Sequence, residues 1–283
     1  MGAPVPFAVA GIVGWVRDAD EDRRVLLLHG GPAMSYRYLD GLLDVLTDWS
    51  IASFQQRGRD PSTTQGPFDV PTSLADIGHV LDHLARCGWH RPLVAGHSWG
   101  GHLAWHVAAT LGDQVGGVLA IDPMGAVGDM GMAGFTEELR RRTDDTVLER
   151  YDELEAAWAS PGLTSAEVIE QGRLLMPAYF ADPARAGEVA DDWVACHVFD
   201  SLVASADALQ PWLVAALRAV RVPLGAVHGE RSPIPLTATT EAVALVPGAW
   251  AEVAEGAGHF VWLEAPDAVR RAMERLRSEV AAR

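Results

Sequence analysis

The sequence predicts an α/β protein, a mostly parallel sheet flanked by helices with an inserted helical cap. Three observations carry this. Short apolar runs at 25–28, 51–54, 93–95 and 118–121 alternate with helical patterns, and a strand covered on both faces reads as a continuous apolar run. Residues 125–220 are mostly helical in pattern and rich in Glu, Asp and Arg, with no clear strand. Strand–helix alternation then returns at 222–227 and 250–253 and closes on a helix. Residues 1–124 and 221–283 are therefore assigned to a core domain and 125–220 to the cap.

At the N-terminus, Pro4 and Pro6 precede an apolar stretch to Val16, and the first cation is Arg17. Prolines suit the start or edge of a strand, so an edge strand fits better than a cationic signal peptide. The run 25–28 ends in His29-Gly30-Gly31-Pro32, a buried strand giving way to a loop, and 51–54 leads into an Arg/Gly-rich loop. Ser73 with Asp76 suggests a capping box, in which the acid reaches back to the cap amide. Leu74, Ile77, Leu81 and Leu84 then share a helix face, and Gly88 ends it. A glycine-rich turn at Ser98 links 93–95 to a helix running to about Leu111, and 118–121 stops at Asp122-Pro123. Within the insertion, Pro161-Gly162, Pro177, Pro183 and Pro211 divide short helices. Along the last helix Val269, Met273, Leu276 and Val280 share a face.

A chain of 283 residues can bury a full core. Its formal charge of −16 works against nucleic acid and anionic membranes as partners. All 22 Lys/Arg positions are arginine, which excludes lysine Schiff-base chemistry. No apolar run reaches the ~18 residues of a membrane span. A cytoplasmic monomer or homodimer acting on a small molecule is the expectation. Cys87 and Cys196 are too few for a disulfide framework and are expected to be buried thiols. His102 and His106 stand four apart on a helix, but Leu103 follows His102 where a zinc helix carries glutamate. Neither a metal nor another cofactor is expected.

Gly96-His97-Ser98-Trp99-Gly100 matches G-x-S-x-G between a strand and a helix. Glycines flank such a serine because the backbone turns too tightly there for side chains. Ser98 is the candidate nucleophile. Gly256-Ala257-Gly258-His259 follows a late strand and precedes the last helix, so His259 can serve Ser98 as general base and acid. In the His29–Pro32 loop the amide of Gly31 is assigned to an oxyanion hole with that of Trp99. Gly30, Pro32 and Trp158 are candidate substrate contacts. Trp99, Trp158, Trp193 and Trp212 either line an apolar acyl pocket or fill core.

These motifs resemble the α/β-hydrolase superfamily, and within it the proline iminopeptidase-like branch. The resemblance rests on H-G-G-P at 29–32, on Q-Q-R-G at 55–58 where the branch has D-Q-R-G, on G-x-S-W-G at 96–100 and on G-x-G-H at 256–259. It implies the α/β-hydrolase fold and a serine hydrolase working through an acyl-enzyme on Ser98. The bond cleaved would be an ester or amide, in an aminoacyl or prolyl compound or in a specialised-metabolite ester or lactone. The alternative is a non-hydrolytic cyclase, lyase or acyltransferase on the same scaffold.

One departure bears on mechanism. The resemblance implies a catalytic acid in a G-x-x-D-x-x-x-P-like loop after the strand that follows the cap, yet the aspartate position here is Ser232. A serine hydroxyl barely stabilises an imidazolium. Asp122, at the end of the neighbouring strand, is the first substitute, Glu230 the alternative, and absence of any acid partner the third reading. Asp122 could equally bond loop amides. Gln55 loses whatever ion pair an aspartate makes at its position, which leaves Arg57 to Asp60 or to substrate. Relatives that are aminopeptidases hold the substrate amine with cap carboxylates. Glu137, Glu138, Glu153, Glu155, Glu167 and Glu170 are the candidates here, unless they form a solvated face.

Overall fold

The computed structural model describes residues 3–158, 163–189 and 196–283. Strands β1 (Val5–Val9) and β2 (Ile12–Arg17) form an antiparallel hairpin, so the single N-terminal edge strand expected above is two strands. They are followed by β3 (Arg24–Leu28), β4 (Ser50–Phe54), β5 (Leu93–His97), β6 (Gly117–Ile121), β7 (Leu224–Gly229) and β8 (Trp250–Ala254). All six of these run parallel, and β2 joins β4 antiparallel. The order across the sheet is β1-β2-β4-β3-β5-β6-β7-β8.

The helices are α1 (Asp40–Val45), α2 (Val70–Arg86), α3 (Trp99–Thr110), α4 (Met132–Arg141), α5 (Asp145–Ala157), α6 (Ser165–Leu175), α7 (Cys196–Leu217), α8 (Leu236–Leu245), α9 (Val261–Glu264) and α10 (Pro266–Ala281). Side chains alternate across each strand, so one apolar run feeds two cores. Leu26 and Leu28 pack with Leu74 of α2, Leu103 of α3 and Leu213 of α7. Val25 and Leu27 pack on the other side with Leu42 of α1 and Leu276 of α10. Each such leucine contributes roughly 2 kcal/mol on burial. In α10 the face read from the sequence is the buried one, with Val269, Met273 and Leu276 inaccessible. Helices α4–α7 lie between β6 and β7, and α7 packs back into the same core as α3. Among the described residues no helix is long and apolar enough to cross a membrane.

Several local expectations need correction. Helix α2 is capped by Asp69, whose Oδ1 accepts from Thr72 N at 2.7 Å, and not by Ser73. Pro71 sits in the first turn, where its fixed φ favours an early start. Asp76 instead takes both arms of Arg57, at 2.6 and 2.8 Å, so Arg57 turns neither to Asp60 nor to substrate. The side chains of this pair are 13% and 5% exposed. Asp76→Asn leaves the guanidinium uncompensated and should destabilise the fold by about 3 kcal/mol, read as a lower urea midpoint at unchanged slope. Pro211 does not divide a helix: α7 runs through it, its two halves held by Leu202, Ala206, Leu213 and Leu217 in the core. Pro177 and Pro183 do fall in short 3-10 turns at Met176–Tyr179 and Pro183–Glu188. Pro161-Gly162 and Trp193 lie outside the described residues, as does the Cys196 side chain. Cys87 is exposed; it caps the C-terminal end of α2, a surface position.

Candidate active site

Because β3 to β8 are parallel, the loops leaving their C-terminal ends gather along one edge of the sheet. Gly30 and Gly31 follow β3, Ser98 follows β5, Asp122 follows β6, Glu230 and Ser232 follow β7, and His259 follows β8. The topology thus assembles residues far apart in the chain.

Ser98 sits at the junction of β5 and α3 with φ 55° and ψ −118°. This is a conformation that a non-glycine residue adopts only when its surroundings enforce it. Enforcement comes from Ser98 N donating to Ile121 O at 3.0 Å and from His102 N donating to Ser98 O at 3.0 Å. A Cβ on Gly96 would lie 2.0 Å from Gly100 O, which is why the turn excludes side chains there. Ser98 is half-buried, and its Oγ makes no hydrogen bond among the described residues.

His259 is 3% exposed, and its Nδ1–H donates to Asp122 Oδ2 at 2.5 Å. The same Oδ2 accepts from Ser232 Oγ at 2.5 Å, and Oδ1 accepts from Gly229 N at 2.9 Å. His228 Nδ1 lies 3.3 Å from Oδ1. Burial alone would raise the Asp122 carboxyl. The nearby His228 and the hydrogen bonds from His259 and Ser232 outweigh it, so the carboxyl is held below its usual range. Asp122 has φ 41°, a second residue in the left-handed region. Its backbone is pinned by Asp122 N donating to Val227 O at 2.7 Å. The serine at the position expected to carry the acid therefore touches the carboxylate that arrives from the next strand. Glu230 is elsewhere: its Oε2 accepts from Gly256 N at 2.9 Å on the surface.

The loop after β3 is braced by the segment after β4. Gln56 N donates to His29 Nε2 at 3.0 Å, and Gln56 Nε2 donates to His29 O at 2.6 Å. Gln55 Nε2 donates to Met34 O at 2.9 Å, so glutamine here ties down the loop by neutral bonds. Burial pushes His29 down to about 4 and keeps it neutral. Neither Gly31 N nor Trp99 N donates to another group among the described residues. Pro32 is buried, and Gly30 N donates to the Tyr38 hydroxyl at 2.5 Å.

Other sequence candidates have partners of their own or are exposed. Trp158 Nε1 donates to Asp200 at 3.3 Å and its ring meets Phe199. The Trp99 ring is buried against His102, and Trp212 lies over His106 on the outside, 47% exposed. His102 Nδ1–H donates to Gly125 O at 2.8 Å and His106 Nε2–H donates to His102 Nε2 at 3.3 Å, so the pair is tied up internally. Glu138, Glu153 and Glu170 pair with arginines, Glu167 caps α6, and Glu137 and Glu155 are exposed. A cavity of about 640 Å³ lined by His90, Arg91, Arg221 and Arg283 opens at the other end of the strands and holds none of the site residues.

Sequence reasoning missed three neighbours of His259. Tyr179, from the segment between β6 and β7, accepts from His259 N at its carbonyl, 2.7 Å away, and sets its ring 5.4 Å from the imidazole. Glu264 of α9 accepts from Gly258 N at 2.6 Å and from Ala181 and Asp182 amides, clamping that segment to the His259 loop. His97, a free position in the G-x-S-x-G pattern, donates from Nε2 to His259 O at 3.0 Å. None of the three carries a local sequence signal.

Residues 25–272 match the Alpha/beta hydrolase family model. The chain is similar to Epoxide hydrolase 4 of Mus musculus, 28% identical over 101 residues that cover 35% of this chain and 27% of that one. It is also similar to Lipase LipV of Mycobacterium tuberculosis, 28% identical over 151 residues, 52% of this chain and 56% of the lipase. Both matches span less than two thirds of the relative's own length. Among solved structures, a proline iminopeptidase of Mycobacterium smegmatis shares the fold, with TM-score 0.69 and 18% identity over 99% of both chains. With a parallel sheet whose loops gather Ser98, Asp122 and His259 at one edge, and a family match over nearly its whole length, this chain belongs to the alpha/beta hydrolase family.

Proposed function

We propose that the chain is a serine hydrolase that cleaves an ester or amide of a small molecule through an acyl-enzyme on Ser98. His259 Nε2 takes the Ser98 proton while Oγ bonds to the substrate carbonyl carbon. The amides of Gly31 and Trp99 donate to the oxyanion, each worth roughly 3 kcal/mol of barrier. Collapse expels the alcohol or amine, which leaves with the proton held by His259. Water then attacks the acyl group by the same route and restores Ser98. Asp122 fixes the His259 tautomer and balances the imidazolium charge. The segment between β6 and β7 acts as a cap, with Tyr179 closing over His259. The substrates of the chain are aminoacyl or prolyl compounds, or specialised-metabolite esters or lactones.

The observation that carries this reading is the 2.5 Å contact between His259 Nδ1 and Asp122, on a carboxylate that Ser232 also supports. A serine at 232 in place of the acid would favour the non-hydrolytic alternative, because such catalysts can drop part of the triad. That support lapses once Ser232 serves Asp122. A fluorophosphonate should label the wild-type protein on the tryptic peptide holding Ser98, and ester products should gain the mass of water. An isomeric product or an unlabelled Ser98 would overturn the reading. Asp122→Asn should lower kcat on p-nitrophenyl esters by about 10⁴-fold, with Glu230→Gln within about twofold of wild type. The opposite ranking would move the acid to Glu230.

A further inference from the structure

We propose that Tyr38 and His97 are positioning residues that tie the loop bearing the oxyanion amide to the loop bearing His259. The proposal rests on the serine hydrolase reading for its functional consequence, and on geometry for the tie itself. The Tyr38 hydroxyl lies 2.5 Å from Gly30 N and 2.8 Å from His97 Nδ1, and His97 Nε2 lies 3.0 Å from His259 O. The two ends dictate the direction of every bond between them. Gly30 N–H can only donate and the His259 carbonyl can only accept. Tyr38 Oη therefore accepts from Gly30 and gives its single hydrogen to His97 Nδ1. That leaves the His97 proton on Nε2, where it donates to His259 O. One neutral tautomer satisfies all the atoms, and any other leaves a buried group unpaired.

The surroundings favour that tautomer. Tyr38 and His97 are 7% and 2% exposed. Burial and the neighbouring His259 push His97 well below its ordinary value, so it stays uncharged. Its ring packs 4.4 Å from the His259 ring and 4.6 Å from that of Trp262. A Cβ on Gly30 would lie 2.7 Å from Tyr38 Oη and 3.0 Å from Ser98 Cβ, so the loop rests against both the tie and the nucleophile. His259 is then held at its amide by Tyr179, at its carbonyl by His97 and at Nδ1 by Asp122. Only Nε2 is left for chemistry. Neither Tyr38 nor His97 contacts the reacting atoms in the mechanism above. Their effect is to set the distance between base and oxyanion hole, where a displacement of about 1 Å can lower the rate about 100-fold.

The test uses Tyr38→Phe, His97→Gln and the double variant, each assayed on p-nitrophenyl butyrate per active site titrated with a fluorophosphonate. Tyr38→Phe should lower kcat per titrated site by about 10- to 100-fold with KM within about threefold, and weaken phenylboronic acid, a mimic of the tetrahedral state, by the same factor. The double variant should be no slower than the slower single variant, because both break one chain of bonds. A per-site kcat for Tyr38→Phe within about twofold of wild type, with only thermal stability reduced, overturns the proposal. So do single effects that multiply in the double variant. A readout independent of activity is the imidazole ¹⁵N spectrum, which should show His97 as the Nε2–H tautomer on both sides of pH ~6.5. The opposite tautomer or a charged ring overturns the tie. A wild-type protein that shows this tautomer but is not labelled at Ser98 would refute the hydrolase reading alone.

Discussion

Replacing Ser98 by alanine is expected to lower kcat on a p-nitrophenyl ester by about 10⁶-fold while leaving the protein folded. Alanine keeps the Cβ and adds no bulk, so the bonds from Ser98 N to Ile121 O and from His102 N to Ser98 O persist at the turn. Only the oxygen is lost. What remains is the proposed pair of amides at Gly31 and Trp99, which together with substrate binding would support roughly 10³-fold acceleration over water. Turnover should therefore fall to a small residue rather than to zero, with no burst of product, no fluorophosphonate adduct and an unchanged thermal midpoint. Wild-type turnover in this variant would remove Ser98 from the mechanism. A collapse in thermal stability would instead mean that the hydroxyl holds the elbow.

The second large effect concerns acid. His29, His97, His102 and His106 are buried and neutral. Burial takes His29 and His102 down to about 4 and His106 to about 3, and carries His97 well below its ordinary value. In the unfolded chain each protonates near pH ~6.5. Below that pH the unfolded state binds protons that the folded state refuses. Stability is therefore whole above pH ~6.5 and falls as the pH drops toward the folded values. Four such groups give a slope of about 5 kcal/mol per pH unit once the unfolded histidines are charged, which is comparable to the whole stability of a typical domain. Asp122 does not add to this loss. Its carboxyl is depressed, so its contribution is present above ~3.9 and disappears only as the pH falls through its lower folded value. Urea midpoints measured from pH ~7.5 down to ~5 should decline steeply and the protein should unfold near pH ~4.5 without denaturant. A flat profile over that range would mean that these histidines accept protons in place.

The elements legible in the sequence are those whose physics is local. All-apolar runs such as 25–28 and 118–121 must be covered on both sides, and they are interior strands. The turn at Ser98 was legible because its backbone admits only glycine at fixed positions around it. The edge hairpin, the Asp69 cap and the continuous α7 were not, since each had a local competitor of similar strength: one strand, Ser73, or a break at Pro211. The capping choice turned on Pro71 at the helix start, and the course of α7 on its packing against α3.

The sequence by itself determined the glycine-flanked turn at Ser98, the apolar runs of the parallel strands and the place of the late histidine, since each rests on short-range pattern. Which side chains meet was decided only in three dimensions. His259 and Asp122 are 137 positions apart, Ser232 and Asp122 are 110 apart, and Tyr38 and His97 are 59 apart. No periodicity or turn rule reaches over such separations. The register of β6 against β7, with Ile121 opposite Val227, places Asp122 beside the loop that carries Ser232 where an aspartate was expected. That register is a property of the assembled sheet, because only there do the ends of neighbouring strands, and the loops they carry, come into contact.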